Sequence, residues 1–335
     1  MTTGEKRPPV REVRIVSIGS YVPPKVLTNA DIEKMVDTSD EWIVTRTGIS
    51  ERHVADETIA ASDLGVAAAR LALERAGVSP GELDAIVVAT VTPDMDFPST
   101  ACIVQAALGA TRAFCFDVSA GCSGFLYATQ VGRSLIASGI AETVLVIGVE
   151  VLTKITDWTD RNTCVLFGDG AGAAILRPAD GEHRILALRL GADGTHGSLI
   201  ELPAGGSREP ITHEAIDQRR HFIRMKGNEV FRLGVRTMEE VARATMEEAG
   251  VTSDQLALFI SHQANMRIIE ATAKRLGLPD EKVFCNLRKY GNTSAASVPL
   301  ALDEALAEGR VKEGDLVLLV VFGAGLTWGG CLLRW

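Results

Sequence analysis

The chain has 335 residues, and its 34 Lys and Arg against 43 Asp and Glu give a net charge of −9. Apolar residues make up 46% and charged residues 23%, proportions typical of globular proteins rather than of disordered, collagen-like or coiled-coil chains. The acidic balance also disfavours nucleic acid as the main partner, because phosphate binding needs dominant positive charge.

Membrane and secretion signals are missing from the sequence pattern. Residues 1–14 are polar and interrupted by proline, unlike a signal peptide. The longest purely apolar run, residues 316–322, is far shorter than the roughly 20 residues that span a bilayer. The six cysteines include no CxxC pair, which disfavours a disulfide framework and a zinc site. We therefore predict a cytoplasmic protein that binds no metal and does not enter a membrane.

Short β-rich runs alternate with longer alanine-rich helical stretches along the chain. This alternation, with continuously apolar strands, predicts an α/β fold of buried sheets with helices on their faces. The predicted strands cover residues 13–18, 85–89, 144–149, 173–176, 256–260 and 316–322. The predicted helices cover residues 60–76, 124–137, 230–249 and 297–307.

An internal repeat organises these elements. Residues 73–83 and 246–256 are similar at an offset of 173, and each leads into a predicted strand. A second pair of small-residue segments, 119–123 and 292–296, opens two helices whose ends, near Gly139 and Gly309, match at an offset of 170. The repeat predicts two copies of one α/β unit, residues 1–178 and 179–335. In this alignment Cys122 and Asn292 are equivalent, so we expect both at a shared cleft.

Cys122 is a candidate nucleophile. It lies among small residues immediately before a predicted helix, where backbone N–H groups and the helix dipole favour a thiolate and should lower the thiol pKa. The alternative is a buried structural cysteine, which is commoner for any single cysteine and is the interpretation we favour for Cys115.

Two further polar residues follow predicted strands or open helices. His262 follows the apolar run 256–260, a position where α/β folds place ligand-handling groups, although a surface histidine is equally consistent with this segment. Asn292 is either a helix N-cap or a site residue, and its repeat relation to Cys122 favours the site.

Three other motifs need an interpretation. The glycine-rich residues 322–330 predict either a plain turn or one whose backbone N–H groups form half of an oxyanion hole, with the Cys122 N–H as the other half. Residues 168–173 imitate a dinucleotide-binding loop, but no helix follows, so we predict a turn between strands. Six cations between residues 219 and 236 indicate either a solvated face or a docking site for an anionic partner.

Taken together, these motifs resemble the β-ketoacyl-[acyl-carrier-protein] synthase III family. The resemblance runs nearly end to end. It rests on Cys122 and on residues 38–48, 168–172, 227–231, 262–265, 291–297 and 322–330. It implies the thiolase-like fold, with duplicated α/β halves related by a pseudo-twofold axis and layered αβαβα.

The resemblance also implies a reaction. Cys122 takes an acyl group from acyl-CoA as a thioester. Malonyl-[acyl-carrier protein] then loses CO2 while His262 and Asn292 donate hydrogen bonds to its thioester carbonyl. The acyl oxygen lies between the N–H groups of Cys122 and Ala324. The products are 3-oxoacyl-[acyl-carrier protein], CO2 and CoA, the first step of fatty-acid biosynthesis, with CoA thioesters as substrates and no cofactor.

Further residues match the binding surfaces of the family. Trp42 and Arg161 are implied around the adenine of CoA, and Arg46, Gly227 and Asn265 along the phosphopantetheine channel. The carrier-docking surface is implied at Arg232, Arg267, Lys274 and Arg275. Phe322 is implied in the acyl pocket and Phe97 as the residue that enters the pocket of the partner in a homodimer.

Two departures and two alternatives remain. The oxyanion turn is Gly-Ala-Gly where three glycines are common, and the loop 203–211 leaves the primer length open. A ketosynthase or acyltransferase of secondary metabolism has the same fold and the same three site residues. A non-catalytic scaffold of this fold is the alternative from another class, and it predicts that acyl-CoA leaves no mass increment on Cys122.

Overall fold

A computed structural model describes residues 11–335, so residues 1–10 of the polar N-terminal stretch lie outside the described residues. The strands are β1 (Val13–Tyr21), β2 (Val26–Thr28), β3 (Glu51–His53), β4 (Ala85–Ala89), β5 (Phe114–Val118), β6 (Val144–Val151), β7 (Asp169–Pro178), β8 (Arg184–Ala192), β9 (Ile200–Glu201), β10 (Arg224–Met225), β11 (Leu258–Ser261), β12 (Val283–Phe284), β13 (Leu316–Gly323) and β14 (Thr327–Arg334). The helices are α1 (Asn29–Ile32), α2 (Asp40–Thr47), α3 (Ala61–Ala76), α4 (Thr100–Leu108), α5 (Gly124–Ala137), α6 (His213–Asp217), α7 (Gly227–Ala249), α8 (Met266–Leu276), α9 (Leu287–Tyr290) and α10 (Ser297–Ala307).

Two five-stranded sheets have the same strand order. The first is β1-β7-β6-β4-β5, and the second, taken from the corresponding edge, is β8-β14-β13-β11-β12. In both sheets the first three strands alternate in direction and the last three run parallel. The duplicated α/β fold predicted from the sequence is confirmed. The chain passes from one sheet to the other between β7 and β8, and the division into domains at residue 178 stays a prediction.

Five layers follow from the alternation of side chains along the strands. In β4, Ala85 and Val87 face a central core that also contains α5 and α10, whereas Ile86 and Val88 face α3 and α4. The strand β13 alternates in the same way between the central core and the helices α7 and α8. Both faces of each sheet are therefore apolar, which explains why the strands read as continuous apolar runs.

The structure corrects the register of the repeat. The helices α5 and α10 begin at Gly124 and Ser297, an offset of 173, and end at Ala137 and Ala307, an offset of 170. The helix α5 has three more residues, which accounts for the second offset. Cys122 is therefore equivalent to Ala295 rather than to Asn292, and the predicted equivalence is wrong, although both residues do lie at the junction of the halves.

The prediction of a turn at residues 168–173 is also wrong, because Asp169 is the first residue of β7. The glycines of residues 168–173 allow α10 to pack directly on β7. A Cβ at Gly172 would lie 2.5 Å from Cβ of Pro299. Glycine here serves close contact between a helix and a sheet, which a sequence pattern does not distinguish from a turn.

Candidate active site

The segment that carries Cys122 packs against the turn between β13 and β14. Cys122 lies in a short 3-10 turn, Gly121–Ser123, directly before α5. Gly121 has φ of 54°, and a Cβ there would lie 2.9 Å from the backbone N of Ala324. A Cβ at Gly323 would lie 2.6 Å from the backbone N of Cys122. Only glycine permits this backbone contact, which joins the two halves of the fold at the sulfur.

One cavity of about 490 Å³ brings the three predicted catalytic residues together. Cys122, His262 and Asn292 line it, and so does the buried ring of Phe322. The cavity also reaches the exposed side chains of α2 and the start of α8, so it connects the surface with the sulfur. Its other lining residues include Trp42, Arg46, Gly227, Asn265 and Arg267.

The environment of the Cys122 thiol differs from the sequence-based expectation. Burial raises the pKa of the thiol to about 11, although the nearby Ser294 hydroxyl and the backbone N–H groups of Cys122 and Ala324 act in the opposite direction. The prediction of a lowered thiol pKa is therefore wrong for the unliganded protein, because loss of solvation outweighs the donors at the helix start.

The two predicted oxyanion donors are nevertheless in place. The N–H groups of Cys122 and Ala324 both point at the sulfur, close enough to lower the thiol pKa. The alanine within the Gly-Ala-Gly turn does not disturb this arrangement, since Ala324 is not among the residues with positive φ. The same pair of donors is suited to the oxygen of a thioester formed on Cys122.

His262 follows β11 and is 4% exposed. Burial lowers the pKa of its imidazole to about 3, so the ring is neutral. Its Nδ1 lies 2.7 Å from Oγ of Ser297, and that Oγ accepts the N–H of Gln263 at 3.4 Å. When the Ser297 hydroxyl donates its proton to Nδ1, Nε2 is the protonated ring nitrogen and a neutral donor on the cavity side.

Asn292 is held by both its backbone and its side chain. Its backbone N–H donates to Leu166 and its carbonyl accepts from Gly168, so it bridges the segment before β7. Its Oδ1 accepts the N–H of Ser294 at 2.9 Å, which leaves the Nδ2 amide for the cavity. The predicted alternative, an N-cap of α10, is wrong, because that helix begins five residues later without a side-chain cap.

The residues predicted for CoA surround the mouth of the cavity. The guanidinium carbons of Arg46 and Arg161 lie 5.0 and 5.3 Å from the centroid of the Trp42 ring. Asn265 caps α8 by accepting the N–H of Arg267, and its amide donates to the carbonyl of Arg46. Asn265 thus connects α2 and α8 in the wall of the cavity. Gly227 begins α7 on another side of the cavity.

The basic surface is smaller than the run of cations between residues 219 and 236 predicts. Arg219 pairs with Asp157, Arg220 with Glu209, and Arg236 with Glu240. The four side chains predicted to dock a carrier protein are all exposed, on the neighbouring helices α7 and α8. Arg275 pairs with Glu239, whereas Arg232, Arg267 and Lys274 form no ion pair within residues 11–335.

The two predicted acyl-pocket residues lie in different environments. Phe322 is 4% exposed and ends β13 against α7, where a Cβ on Gly234 would touch its ring at 3.2 Å. Phe97 is 84% exposed and does not line the cavity of its own chain. It lies in the loop between β4 and α4, before the edge strand β5.

Three functional candidates escaped the sequence reasoning: Glu150, Ser294 and Ser297. Both serines belong to the small-residue string that opens α10, and Glu150 ends an apolar run, so no local pattern distinguishes them. Within residues 11–335, no cluster of histidine, cysteine or carboxylate groups is arranged to hold a metal ion. None of the helices in this range has the length and apolar character that a bilayer span requires.

The duplicated, five-layered architecture with a cysteine at the junction of its halves defines a condensing enzyme of the thiolase-like class. Two family models match the chain. Residues 116–194 match 3-oxoacyl-[acyl-carrier-protein] synthase III, and residues 246–335 match the C-terminal part of the same family. The chain therefore belongs to the 3-oxoacyl-[acyl-carrier-protein] synthase III family of acyltransferases, as the sequence resemblance predicts.

Individual relatives cover nearly the whole chain. A β-ketoacyl-[acyl-carrier-protein] synthase III from Caldanaerobacter subterraneus is 55% identical over 96% of this chain and 97% of its own length. The crystal structure of 3-oxoacyl-[acyl-carrier-protein] synthase III from Aquifex aeolicus superposes with a TM-score of 0.89, at 51% identity, covering 96% of this chain and all of that one. The priming β-ketosynthase of the R1128 polyketide pathway gives a TM-score of 0.91 at 38% identity, covering 98% of both chains.

Proposed function

We propose that this chain condenses an acyl-CoA primer with malonyl-[acyl-carrier protein], releasing CO2 and CoA and forming 3-oxoacyl-[acyl-carrier protein]. The observation that carries the proposal is the shared cavity, where the Cys122 sulfur faces two backbone N–H donors beside a neutral His262 and a fixed Asn292. Names of relatives at 55% and 52% identity over 96% of the chain describe the same class of reaction.

In the first half-reaction the Cys122 thiol gives up its proton to a neighbouring acceptor as its sulfur attacks the thioester carbonyl of acyl-CoA. Negative charge develops on the carbonyl oxygen, and the N–H groups of Cys122 and Ala324 stabilise it. The carbon–sulfur bond to CoA then breaks, and CoA leaves as its thiolate and takes a proton from solvent. The product is an acyl thioester on Cys122, which intact mass measures directly.

In the second half-reaction malonyl-[acyl-carrier protein] places its thioester carbonyl between Nε2–H of His262 and the Nδ2 amide of Asn292. As the carbon–carbon bond to the carboxylate breaks, both groups donate to the enolate oxygen. Neutral donors suit this step, since the departing CO2 leaves the electron pair behind and no base has to remove a proton. The carbanion attacks the acyl-cysteine, and the sulfur of Cys122 leaves.

Binding is proposed at the surfaces around the cavity. Trp42 and Arg161 bind the adenine end of CoA, and Arg46, Gly227 and Asn265 line the path of its pantetheine arm. An acidic carrier protein docks on Arg232, Arg267, Lys274 and Arg275, of which the first three are free of ion pairs in the described part of the chain. Surface charges of this kind chiefly raise the association rate and select the partner.

We also propose a homodimer. The strand β5 forms an edge of the first sheet, and its apolar residues 114–116 are only partly covered. An exposed apolar edge strand is a template for pairing with another chain. Phe97 projects from the neighbouring loop and is 84% exposed, which fits insertion into the acyl pocket of a second copy. The reaction needs no metal or cofactor in this proposal.

Intact mass spectrometry tests the nucleophile. Incubation with acetyl-CoA should add one acetyl group to the wild-type chain, with peptide mapping locating it at Cys122. Cys122→Ala should gain nothing, and Cys331→Ala, a substitution of a buried cysteine in β14, should acylate as wild type does. Absence of acylation in the wild-type protein would support the non-catalytic alternative.

A priming ketosynthase of secondary metabolism is the second candidate, supported by the 38% identity to the R1128 enzyme over 98% of both chains. Turnover with acetyl, branched and longer acyl-CoA primers distinguishes the two. Preference for short or branched primers with malonyl-[acyl-carrier protein] favours fatty-acid initiation, whereas a preference for another acceptor favours the second candidate.

A further inference from the structure

A fully buried carboxylate lies behind the cysteine and has no part in the scheme above. Glu150, near the end of β6, has zero exposure. Its oxygens accept only neutral donors: the hydroxyls of Thr90, Thr92 and Ser294, and the N–H of Val91. No lysine or arginine within residues 11–335 pairs with it. A buried carboxylate without a cation is costly, and such groups are concentrated at functional sites.

Ser294 connects this carboxylate to the cysteine. Its hydroxyl donates to Oε1 of Glu150 at 3.1 Å. The 3-10 turn that carries Ser294 packs against the turn that carries Cys122, and the hydroxyl is close enough to the sulfur to lower the thiol pKa. Ser294 is one of two non-glycine residues in the described chain with positive φ, at 48°. Its N–H is tied to Oδ1 of Asn292 at 2.9 Å, so a strained backbone holds the hydroxyl between sulfur and carboxylate.

We propose that Glu150 and Ser294 form a proton relay for Cys122. During acylation the thiol proton passes to Oγ of Ser294 as the Ser294 hydroxyl proton passes to Oε1 of Glu150. The sulfur then carries the electron pair that forms the new bond to the acyl carbon. During condensation the acyl–sulfur bond breaks, and Glu150 returns the proton to the sulfur by the same route. Glu150 is therefore a positioning residue that acts through Ser294. The inference rests on Cys122 being the acylated residue.

The pKa values keep the proton on the sulfur at rest, since about 11 for the Cys122 thiol exceeds about 7 for the Glu150 carboxyl, so the transfer occurs as the new carbon–sulfur bond forms. Burial raises the pKa of the Glu150 carboxyl to about 7, well above that of an exposed glutamate, so it is a competent acceptor near neutral pH. Cys122 is the titratable group that faces it, and the negative charge of Glu150 raises the thiol pKa. A proton relay avoids placing two negative charges side by side, because Glu150 becomes neutral as the sulfur becomes negative.

The substitution Glu150→Gln removes the acceptor and keeps the shape of the side chain. We expect the rate constant for acylation of Cys122 by acetyl-CoA to fall about 100-fold, the lower range for loss of a general base, with KM for acetyl-CoA nearly unchanged. Ser294→Gly should cause a similar loss, because glycine tolerates φ of 48° while the hydroxyl is removed. Glu150→Asp should recover part of the rate, since it restores a carboxylate.

Asp169→Asn is the matched control. Asp169 has a buried carboxylate and lies opposite Val151 in the β-sheet, one residue after Glu150 in sequence. Its oxygens accept hydrogen bonds from Ala55 and Thr153 and do not contact the cysteine. We expect Asp169→Asn to acylate at the wild-type rate. Thermal unfolding of each variant establishes that it is folded. If Glu150→Gln does not fold, the acylation rate of Ser294→Gly tests the relay.

An infrared difference spectrum of the wild-type protein tests the relay without a substitution. Above the carboxyl pKa, rapid mixing with acetyl-CoA should produce a transient protonated-carboxyl band. The band should appear equally in Asp169→Asn and be lost in Ser294→Gly. Wild-type acylation rates in both Glu150→Gln and Ser294→Gly, with no such band, would overturn the relay while leaving the role of Cys122 intact. Failure of the wild-type protein to acylate would instead contradict the proposed function.

Discussion

Oγ of Ser297 lies 2.7 Å from Nδ1 of His262, so the direction of this hydrogen bond is coupled to which ring nitrogen carries the proton. Ser297 is the first residue of α10, and His262 follows β11, so the packing of a helix against a strand holds the two groups together. A histidine with Nε2–H is a donor toward the cavity. In the proposed reaction, decarboxylation needs such a donor and acylation of Cys122 does not.

Ser297→Ala should therefore separate the two half-reactions. We expect the acylation rate to stay within a factor of about two of wild type, and decarboxylation to slow by about 10-fold, because the ring samples the other tautomer and other orientations. Nitrogen NMR of the imidazole should show a shift from Nε2–H toward Nδ1–H. Ser134→Ala, an exposed serine on α5, should change neither rate. Equal slowing of both half-reactions would contradict the assignment.

Asn292→Asp is a sharper test of the enolate donor than removal of the side chain. The carboxylate keeps an acceptor for the N–H of Ser294 but lacks the Nδ2 donor and places negative charge beside the enolate. We expect normal acylation with loss of decarboxylation by about 100-fold or more, the range for removal of one oxyanion donor. Release of CO2 from malonyl-[acyl-carrier protein] by the pre-acylated variant measures it. Wild-type release would show that Asn292 does not bind the enolate oxygen.

Gly323→Ala should disable the site through the backbone. The new Cβ would lie 2.6 Å from the N and 2.8 Å from the Cβ of Cys122, so the turn between β13 and β14 has to move away from the sulfur. Acylation should fall by about 100-fold as the Ala324 donor is displaced. Gly181→Ala is the control, since nothing lies within 4 Å of its Cβ position and its φ is not positive. Similar acylation in both variants would contradict the proposed oxyanion geometry.

The pH dependence of stability should contain two opposed contributions. The imidazole of His262 has a pKa of about 3 in the folded chain against 6.5 ordinarily, so the unfolded chain binds more protons between these values. The free energy of unfolding therefore falls as the pH drops below 6.5. The carboxyl of Glu150 has a pKa of about 7 against 4.5, so its contribution is present below pH 4.5 and is lost as the pH rises through 7.

Chemical denaturation across this pH range tests both signs. His262→Gln should flatten the acid side of the stability profile, and Glu150→Gln should flatten the fall between pH 4.5 and 7. The same reasoning predicts that decarboxylation by the acyl-enzyme shows no titration near 6.5, because His262 is already neutral there. A pH-dependent change in the decarboxylation rate near pH 6.5 that is absent in His262→Gln would contradict a buried neutral ring.

Charge reversal should separate the carrier protein from CoA. Arg232→Glu combined with Lys274→Glu should raise KM for malonyl-[acyl-carrier protein] about 10-fold, with a smaller salt dependence, and leave acylation by acetyl-CoA unchanged. Lys312→Glu, an exposed lysine in the loop between α10 and β13, is the control. An equal effect on both substrates would place CoA, not the carrier protein, on this surface.

The sequence predicts elements whose pattern is local and misses those that packing decides. Strand β4 and helices α5 and α10 match their predicted bounds, because their apolar periodicity is unbroken. Strand β14 is not predicted from the sequence, because its glycines are typical of a turn. These glycines allow close contact with α7: a Cβ at Gly330 would lie 2.3 Å from Oγ1 of Thr245. The resemblance identified the catalytic candidates, whereas the raised thiol pKa of Cys122 and the burial of Glu150 depend on neighbours from the other half of the fold.

The most direct test of the central claim follows the carboxyl carbon of the extender. The protein is incubated with acetyl-CoA and malonyl-[acyl-carrier protein] labelled at the free carboxyl, and labelled CO2 is measured together with the carrier product. We expect labelled CO2 and 3-oxobutanoyl-[acyl-carrier protein] in equal amounts, with neither formed by Cys122→Ala. Transfer of the acetyl group to an acceptor without release of labelled CO2 would contradict the proposed condensation.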